Sequence, residues 1–320
     1  MILFFTQRVI LTLVMLLILT FVVFLGVYYI GDPIALLMPE QGQGATIDAA
    51  RKLLGLDGSF LTQYATFIKG LFSGSLGKSF VFGTSCFDII LERLPASLEL
   101  TLLALLFSCI IGVKLGLHAA RFPEGKGAKW IEFYALLGMS FPVYWLGLML
   151  VTFFAAQLHW LPSIGRGETF WGLSFLTIDG IRHLVLPVLV LMMFKVALFI
   201  RLTRHFAGNV AQKSFIYFTR ARGISESIIY QKHIVKHLTL PISTVFSLEF
   251  GSLLLSAVIT ESVFAWPGLG KLLIDALLQL DRPMVIAFVI FVGLFYAIMN
   301  LVLDIIHRFI DPRLREKRWA

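Results

Sequence analysis

Charge is scarce in this chain and acidic charge scarcest: 14% of the 320 residues are Asp, Glu, Lys or Arg, with 19 acids against 27 bases. A soluble globular chain carries roughly a quarter charged residues, so a water-facing surface is excluded for most of this one. Cysteine is nearly absent. Cys86 lies in a polar loop and Cys109 in an apolar run, which supplies neither a disulfide framework nor the paired spacing of a zinc site. Catalytic signatures are missing too. No glycine-rich loop leads into Lys and Ser or Thr, so the chain has no loop of its own for holding ATP phosphates. There is no His-Glu-x-x-His, and no nucleic-acid reading module accompanies the net charge of +8. The chain is therefore expected to be no enzyme, to carry no cofactor or metal, and to bind no nucleic acid.

Hydrocarbon is abundant instead. Mean hydropathy is +0.88, and 30 residues are Phe. Six apolar runs are long enough to span a bilayer: about 9–30, 97–117, 133–157, 184–202, 242–263 and 284–306. The first lacks a small-x-small cleavage site and reads as an uncleaved anchor. Loop charge sets the orientation. Arg201, Arg204, Lys213, Arg220, Arg222, Lys232 and Lys236 crowd 201–240 against Glu226 alone, and 118–132 and 307–320 are also basic. The alternate loops have no such excess; 31–96 holds five Lys and Arg against six Asp and Glu. The positive-inside rule places both termini and 201–240 in the cytoplasm. The expectation is an all-α, polytopic membrane protein with about six transmembrane helices. Its parts are an N-terminal anchor (1–30), an extracytoplasmic segment (31–96) and a five-helix core (97–320) with a cytoplasmic loop at about 203–240.

Within 31–96, "TIDAARKLLGL" (46–56) has helical character, "FLTQYATFIKGLF" (60–72) predicts an interfacial helix, and "FSGSLGKSFVFGTS" reads as loop. Pro95, Pro187 and Pro241 fall at the starts of apolar runs, where a first helical turn tolerates proline. Pro142 falls inside the third run and should bend it. Gly112 and Gly116 form a Gly-x-x-x-Gly contact surface in the second. Charges inside spans are functional candidates because hydrocarbon penalises them. Lys114 can snorkel to the cytoplasmic interface. Lys195 and Glu249 could pair across helices or line a hydrated translocation path, to which Glu261 at the outer end of the fifth span is a further candidate. His233 and His237 share a helical face at metal-ligand spacing, but Lys232 and Lys236 beside them oppose a cation. His118, His159 and His183 are scattered near span ends and read as interfacial residues.

Seven stretches, in order and on the expected side of each span, then identify a resemblance: "YYIGDP", "LPASLELTLLALL", "GMSFPVYWLGLML", "HWLPSIG", "HLVLPVLVL", "ESVFAWPGLGKLL" and "DPRLR". Nearly the whole chain resembles the permease subunits of ABC importers for peptides, nickel and metal–metallophore complexes, the dipeptide/oligopeptide permease B type. The resemblance implies a type I importer permease fold in the bacterial inner membrane, with inward transport by alternating access. Its implied partners are a second permease in a heterodimer, two ATPase subunits that hydrolyse the ATP, and an extracytoplasmic substrate-binding protein received by the outer loops.

In such permeases a cytoplasmic coupling helix docks on the ATPase, followed by Gly and, some eighteen residues on, Pro. "RARGISE" with Gly223 and Pro241 matches that arrangement. The implied docking residues are Phe215, Tyr217, Thr219, Arg220, Ala221, Arg222, Gly223, Ile224, Ser225 and Glu226. Ala221 and Gly223 would permit a sharp turn and close approach; Arg220 and Arg222 would pair with acids on the partner. Thr219 stands where Ala is usual, His237 where Asn is common, and Tyr217 and Phe218 are bulky for the motif. Downstream, Ile224, Ile228, Val235 and Leu238, with Gln231, form a stripe expected to pack on the bundle, with Lys232 and Lys236 facing headgroups. A stand-alone secondary transporter or channel for a small polar solute is the alternative. It would need mid-depth carboxylates or inverted repeats, and the sequence shows neither.

Overall fold

The computed structural model describes residues 2–30, 52 and 57–310. Among them every regular element is helical, apart from isolated bridges pairing Lys78 with Ser85 and Phe170 with Leu173. The helices are α1 (Ile2–Ile30), α2 (Phe60–Phe72), α3 (Cys86–Arg121), α4 (Lys126–Ser140), α5 (Val143–Leu150), α6 (Ile178–Ala211), α7 (Ser214–Ala221), α8 (Glu226–Ser256), α9 (Val258–Val263), α10 (Leu269–Leu278) and α11 (Arg282–Ile310). The expected helix at 46–56 lies, but for Lys52, outside the described residues.

Among the described residues four helices are long and apolar enough to cross a membrane: α3, α6, α8 and the Arg282–Met299 part of α11. A fifth span follows if α4 and the helix from Val143 to Gln157 count as one. The remaining run, the first in the chain, lies in α1, whose apolar part is Leu13–Tyr29. Pro142 does more than bend its span. The path turns by 103° between α4 and α5, because Phe141, forced off helical angles by the following proline, is extended at φ −93°, ψ 135°. The other prolines correct the expectation. Pro95, Pro187 and Pro241 sit inside α3, α6 and α8, not in their first turns. Each helix begins in polar sequence before its apolar run, so hydropathy alone marked the start too late.

Of the described residues, those up to Pro95 with 268–299 form one compact unit, and 96–267 with 300–310 another. In the first, α2 starts at Ser59, whose Oγ accepts from Thr62 N at 3.4 Å. Its rings pack on α1: Phe24 lies 5.5 Å from Phe60, 5.4 Å from Tyr64 and 5.9 Å from Phe67. The loop after α2 is held by the buried Asp281, which accepts from Ser79 Oγ, from Phe80 N at 3.1 Å and from Met284 N at 3.4 Å.

In the second unit α6 is the central post. Thr177 Oγ1 caps it by accepting from Gly180 N at 3.0 Å, and Asp179 sits in its first turn. The Gly-x-x-x-Gly surface of α3 packs against it. A Cβ on Gly112 would lie 2.5 Å from Phe199 Cβ, and one on Gly116 would lie 2.7 Å from the Ile200 carbonyl oxygen. Gly138 brings α4 equally close, 2.9 Å from the Met193 carbonyl oxygen by the same measure.

Candidate functional site

In the basic loop at about 203–240, α7 is built outward from a single buried side chain. In α7 Ile216 is fully buried, and beside it Phe215 packs its ring 4.8 Å from that of His237. That anchorage turns the opposite face outward, leaving Tyr217 at 58% and Phe218 at 70% exposure. Two large aromatics held in water on a polar loop are the kind of surface a partner covers. Ala221 and Arg222 are exposed beside them. Sequence reasoning took Phe218 only as a departure from the motif. Its signal was the two-residue spacing, about 200° around a helix, that puts it opposite Ile216.

The helix ends at Gly223, which adopts φ +76° and donates its N–H to the Arg220 carbonyl at 2.9 Å. This is a left-handed residue after the last helical turn, where glycine carries no Cβ penalty. A Cβ there would meet nothing within 4 Å, so it is the backbone angle, not crowding within the chain, that requires glycine. Arg220 turns back across the bend: its Nε donates to Glu226 Oε1 at 2.5 Å and its Nη2 to Oε2 at 3.4 Å. The hydrogen bond to Glu226 holds the guanidinium above its ordinary pKa, so it stays cationic. Of the two arginines assigned to a partner, Arg220 is thus paired within the loop and Arg222 stands exposed. Thr219 donates to the Phe215 carbonyl at 2.8 Å, and Ser225, with Ile224 before it, connects the turn to α8.

The stripe expected downstream is corrected in part. Leu238 is buried as expected and Ile224 and Val235 are half-buried, but Ile228 is 43% exposed and Gln231 faces out, and Ile229, Tyr230 and Ile234 are buried in their place. Residues 229–234 form a π-helical turn, whose wider winding shifts the inward face away from that of a regular 3.6-residue helix. Tyr230 then reaches α3, donating its hydroxyl to the Ala120 carbonyl at 3.1 Å. Arg121 Nη1 donates to Ser227 Oγ at 3.4 Å. The loop is tied to the bundle at both places.

Of the proposed path residues, Lys195 and Glu249 are joined in an ion pair between α6 and α8, with side chains 7% and 23% exposed. Glu261, fully buried in α9, accepts from Ser97 Oγ at 2.6 Å. A further buried pair escaped sequence reading. Glu99 of α3 accepts from Arg166 Nη2 at 2.6 Å and from Phe175 N at 2.7 Å, fastening the loop between α5 and α6. Arg204 pairs with Glu132 nearer the cytoplasmic ends. Among the described residues no group of three or more His, Cys, Asp or Glu is disposed to hold a metal ion.

Comparison with known proteins identifies the family. A family model for the binding-protein-dependent transport system inner membrane component matches residues 112–316, and an N-terminal model for the membrane component of the same systems matches 1–101. The di/tripeptide transport system permease protein DppB of Pseudomonas aeruginosa is 32% identical over 305 residues, covering 90% of this chain and 91% of its own. The oligopeptide permease AppB of Bacillus subtilis is 32% identical over 285 residues, covering 89% and 90%. The glutathione permease GsiC of Pectobacterium atrosepticum is 31% identical over 315 residues, covering 98% and 99%. Among solved structures, an inward-facing form of the MetNI methionine ABC transporter shares the fold. Its TM-score is 0.57 at 14% identity, over 70% of this chain and 97% of that one.

Proposed function

We propose a role from one premise: the chain belongs to the family of inner membrane components of binding-protein-dependent transport systems. It is thus a multi-pass permease subunit of an ABC importer in the bacterial inner membrane. Its solute is a short peptide, a reading supported by relatives named for di/tripeptide, oligopeptide and glutathione transport. It works as one half of a permease heterodimer, with two ATPase subunits in the cytoplasm and a substrate-binding protein outside. ATP hydrolysis belongs to those partners, and their closure drives the permease helices between outward- and inward-open states.

The observation that carries this reading is the built surface of α7. Tyr217, Phe218, Ala221 and Arg222 project from a helix that Ile216 fixes and the Gly223 turn terminates. Such a surface fits a cleft on the ATPase. Arg220, closed on Glu226, stiffens the loop, and Arg222 supplies the charge that meets the partner.

Gly223→Asp tests the docking. Aspartate enters the left-handed region more readily than most residues, so the loop folds while a carboxylate stands where the partner would sit. The expected result is normal membrane insertion, loss of ATPase co-purification and loss of peptide uptake. Unchanged uptake together with an intact complex would refute docking through this turn.

A further inference from the structure

Within the second compact unit, the end of α3 and the π-helical turn of α8 border a cavity of about 260 Å³. Loop charge places this end of both helices on the cytoplasmic side. Lys114, His118 and Arg121 line it from α3. They recur at i, i+4 and i+7, which puts three nitrogen-bearing side chains on one helix face over about 10 Å of its length. Leu117, Phe122 and Val235 supply apolar lining. No Asp or Glu is among the lining residues. Glu226, on the facing segment, is closed on Arg220, and Glu124, on the loop after α3, makes no ion pair among the described residues. Lys114 and His118 are exposed, and neither side chain makes a hydrogen bond or ion pair among the described residues. Arg121 is held in place rather than left swinging. Its guanidinium lies 4.7 Å from the centre of the Phe122 ring, and its Nη1 donates to Ser227 Oγ at 3.4 Å. The other N–H groups of Arg121 have no acceptor among the described residues.

From this arrangement we infer a binding site for an anionic phospholipid of the inner leaflet, its phosphate meeting Lys114, His118 and Arg121 and its first acyl carbons lying on Leu117, Phe122 and Val235. Guanidinium with ammonium is a phosphate-binding pair, and basic pockets between helices on the cytoplasmic side suit anionic headgroups. Depth selects a lipid over a protein partner. Lys114 lies inside the apolar run 97–117, at the boundary of headgroups and acyl chains, where a soluble ATPase does not reach. Trp130 of α4, 71% exposed, marks the same interface. Its helix starts beside the site, since a Cβ on Gly127 would lie 3.2 Å from His118 Nε2. The apolar lining is of no use to a free phosphate. A bound lipid would add a third tie between α3 and α8, beside Tyr230 on the Ala120 carbonyl and Arg121 on Ser227. This inference does not rest on which solute is carried.

The test uses the detergent-purified full complex and native mass spectrometry, with palmitoyl-oleoyl phosphatidylglycerol, chain-matched phosphatidylcholine and inorganic phosphate as probes. Phosphatidylglycerol should be retained in preference to phosphatidylcholine. Lys114→Ala, which removes an exposed side chain and so leaves the fold intact, should weaken retention about tenfold, the scale of one charged hydrogen bond. Val235→Trp, which fills the apolar lining, should weaken it comparably. Lys126→Ala, an exposed cation on the same side but outside the cavity, should leave retention unchanged. Equal retention of the two lipids, wild-type retention by Lys114→Ala or by Val235→Trp, or an equal loss in Lys126→Ala would each overturn the site. So would displacement by inorganic phosphate alone, which assigns the cations to a free anion, or no retained lipid at all, which assigns the cavity to the ATPase. Transport is not read in this assay, so its failure leaves the proposed function standing.

Discussion

Lys195 and Glu249 set the question of whether charge inside the bundle supports the fold or the solute. The ammonium is 7% exposed and the carboxylate 23%, and each satisfies the other. Removing one member of a buried pair strands the second, a loss of about 3–5 kcal/mol where burial is complete and less where water reaches one partner. Lys195→Met should therefore lower the detergent melting temperature clearly, Glu249→Gln should lower it less, and Lys195→Met with Glu249→Leu should recover most of the loss. If Lys195→Met keeps full thermal stability yet abolishes uptake, the pair serves the path and not the fold. Both residues were legible in the sequence, because a charge deep in an apolar run stands out on hydropathy alone. Glu99 was not. It lies near the start of an apolar run and its partner, Arg166, in a distant loop, so only the folded chain shows that the carboxylate fastens that loop.

Helix contacts decide which glycines matter, and spacing alone ranks them poorly. Gly116 and Gly208 both lie inside long helices, yet a Cβ on the first would press to 2.7 Å on the Ile200 carbonyl, while one on the second meets nothing within 4 Å. Gly116→Ala should destabilise the bundle by about 1–3 kcal/mol through overpacking. Gly208→Ala should be neutral or stabilising by up to about 1 kcal/mol, since alanine is the better helix former. Thermal unfolding of the two variants in one detergent checks the contrast, and equal effects would mean that α3 does not pack on α6 as described. The Gly-x-x-x-Gly spacing pointed to this surface, whereas Gly138, without a spaced partner, gave no signal. The π-helical turn at 229–234 was equally hidden, since periodicity arguments assume a winding that this segment does not keep. That is why Ile228 was assigned inward and Tyr230 overlooked.

For the whole chain, the asymmetry of Lys and Arg between alternate loops carried the topology, and with it the side on which each surface works. What hydropathy could not supply was where helices start, since α3, α6 and α8 all begin in polar sequence ahead of their apolar runs. The topology has a direct chemical test. In a background with Cys86→Ala and Cys109→Ala, Arg222→Cys and Trp171→Cys each offer one thiol at an exposed position, Trp171 being 87% exposed. A membrane-impermeant maleimide should label Trp171→Cys in spheroplasts and Arg222→Cys only in inverted vesicles. Labelling of Arg222→Cys from outside would reverse the orientation and remove α7 from any cytoplasmic partner. The same thiol also reports docking, because a residue seated in a partner's cleft is shielded from reagent. Stripping the ATPase subunits from inverted vesicles should then speed labelling at 222 and leave 171 unchanged. An equal rate with and without the ATPase would mean that the exposed face of α7 faces water in the assembled importer, and that coupling runs through another surface.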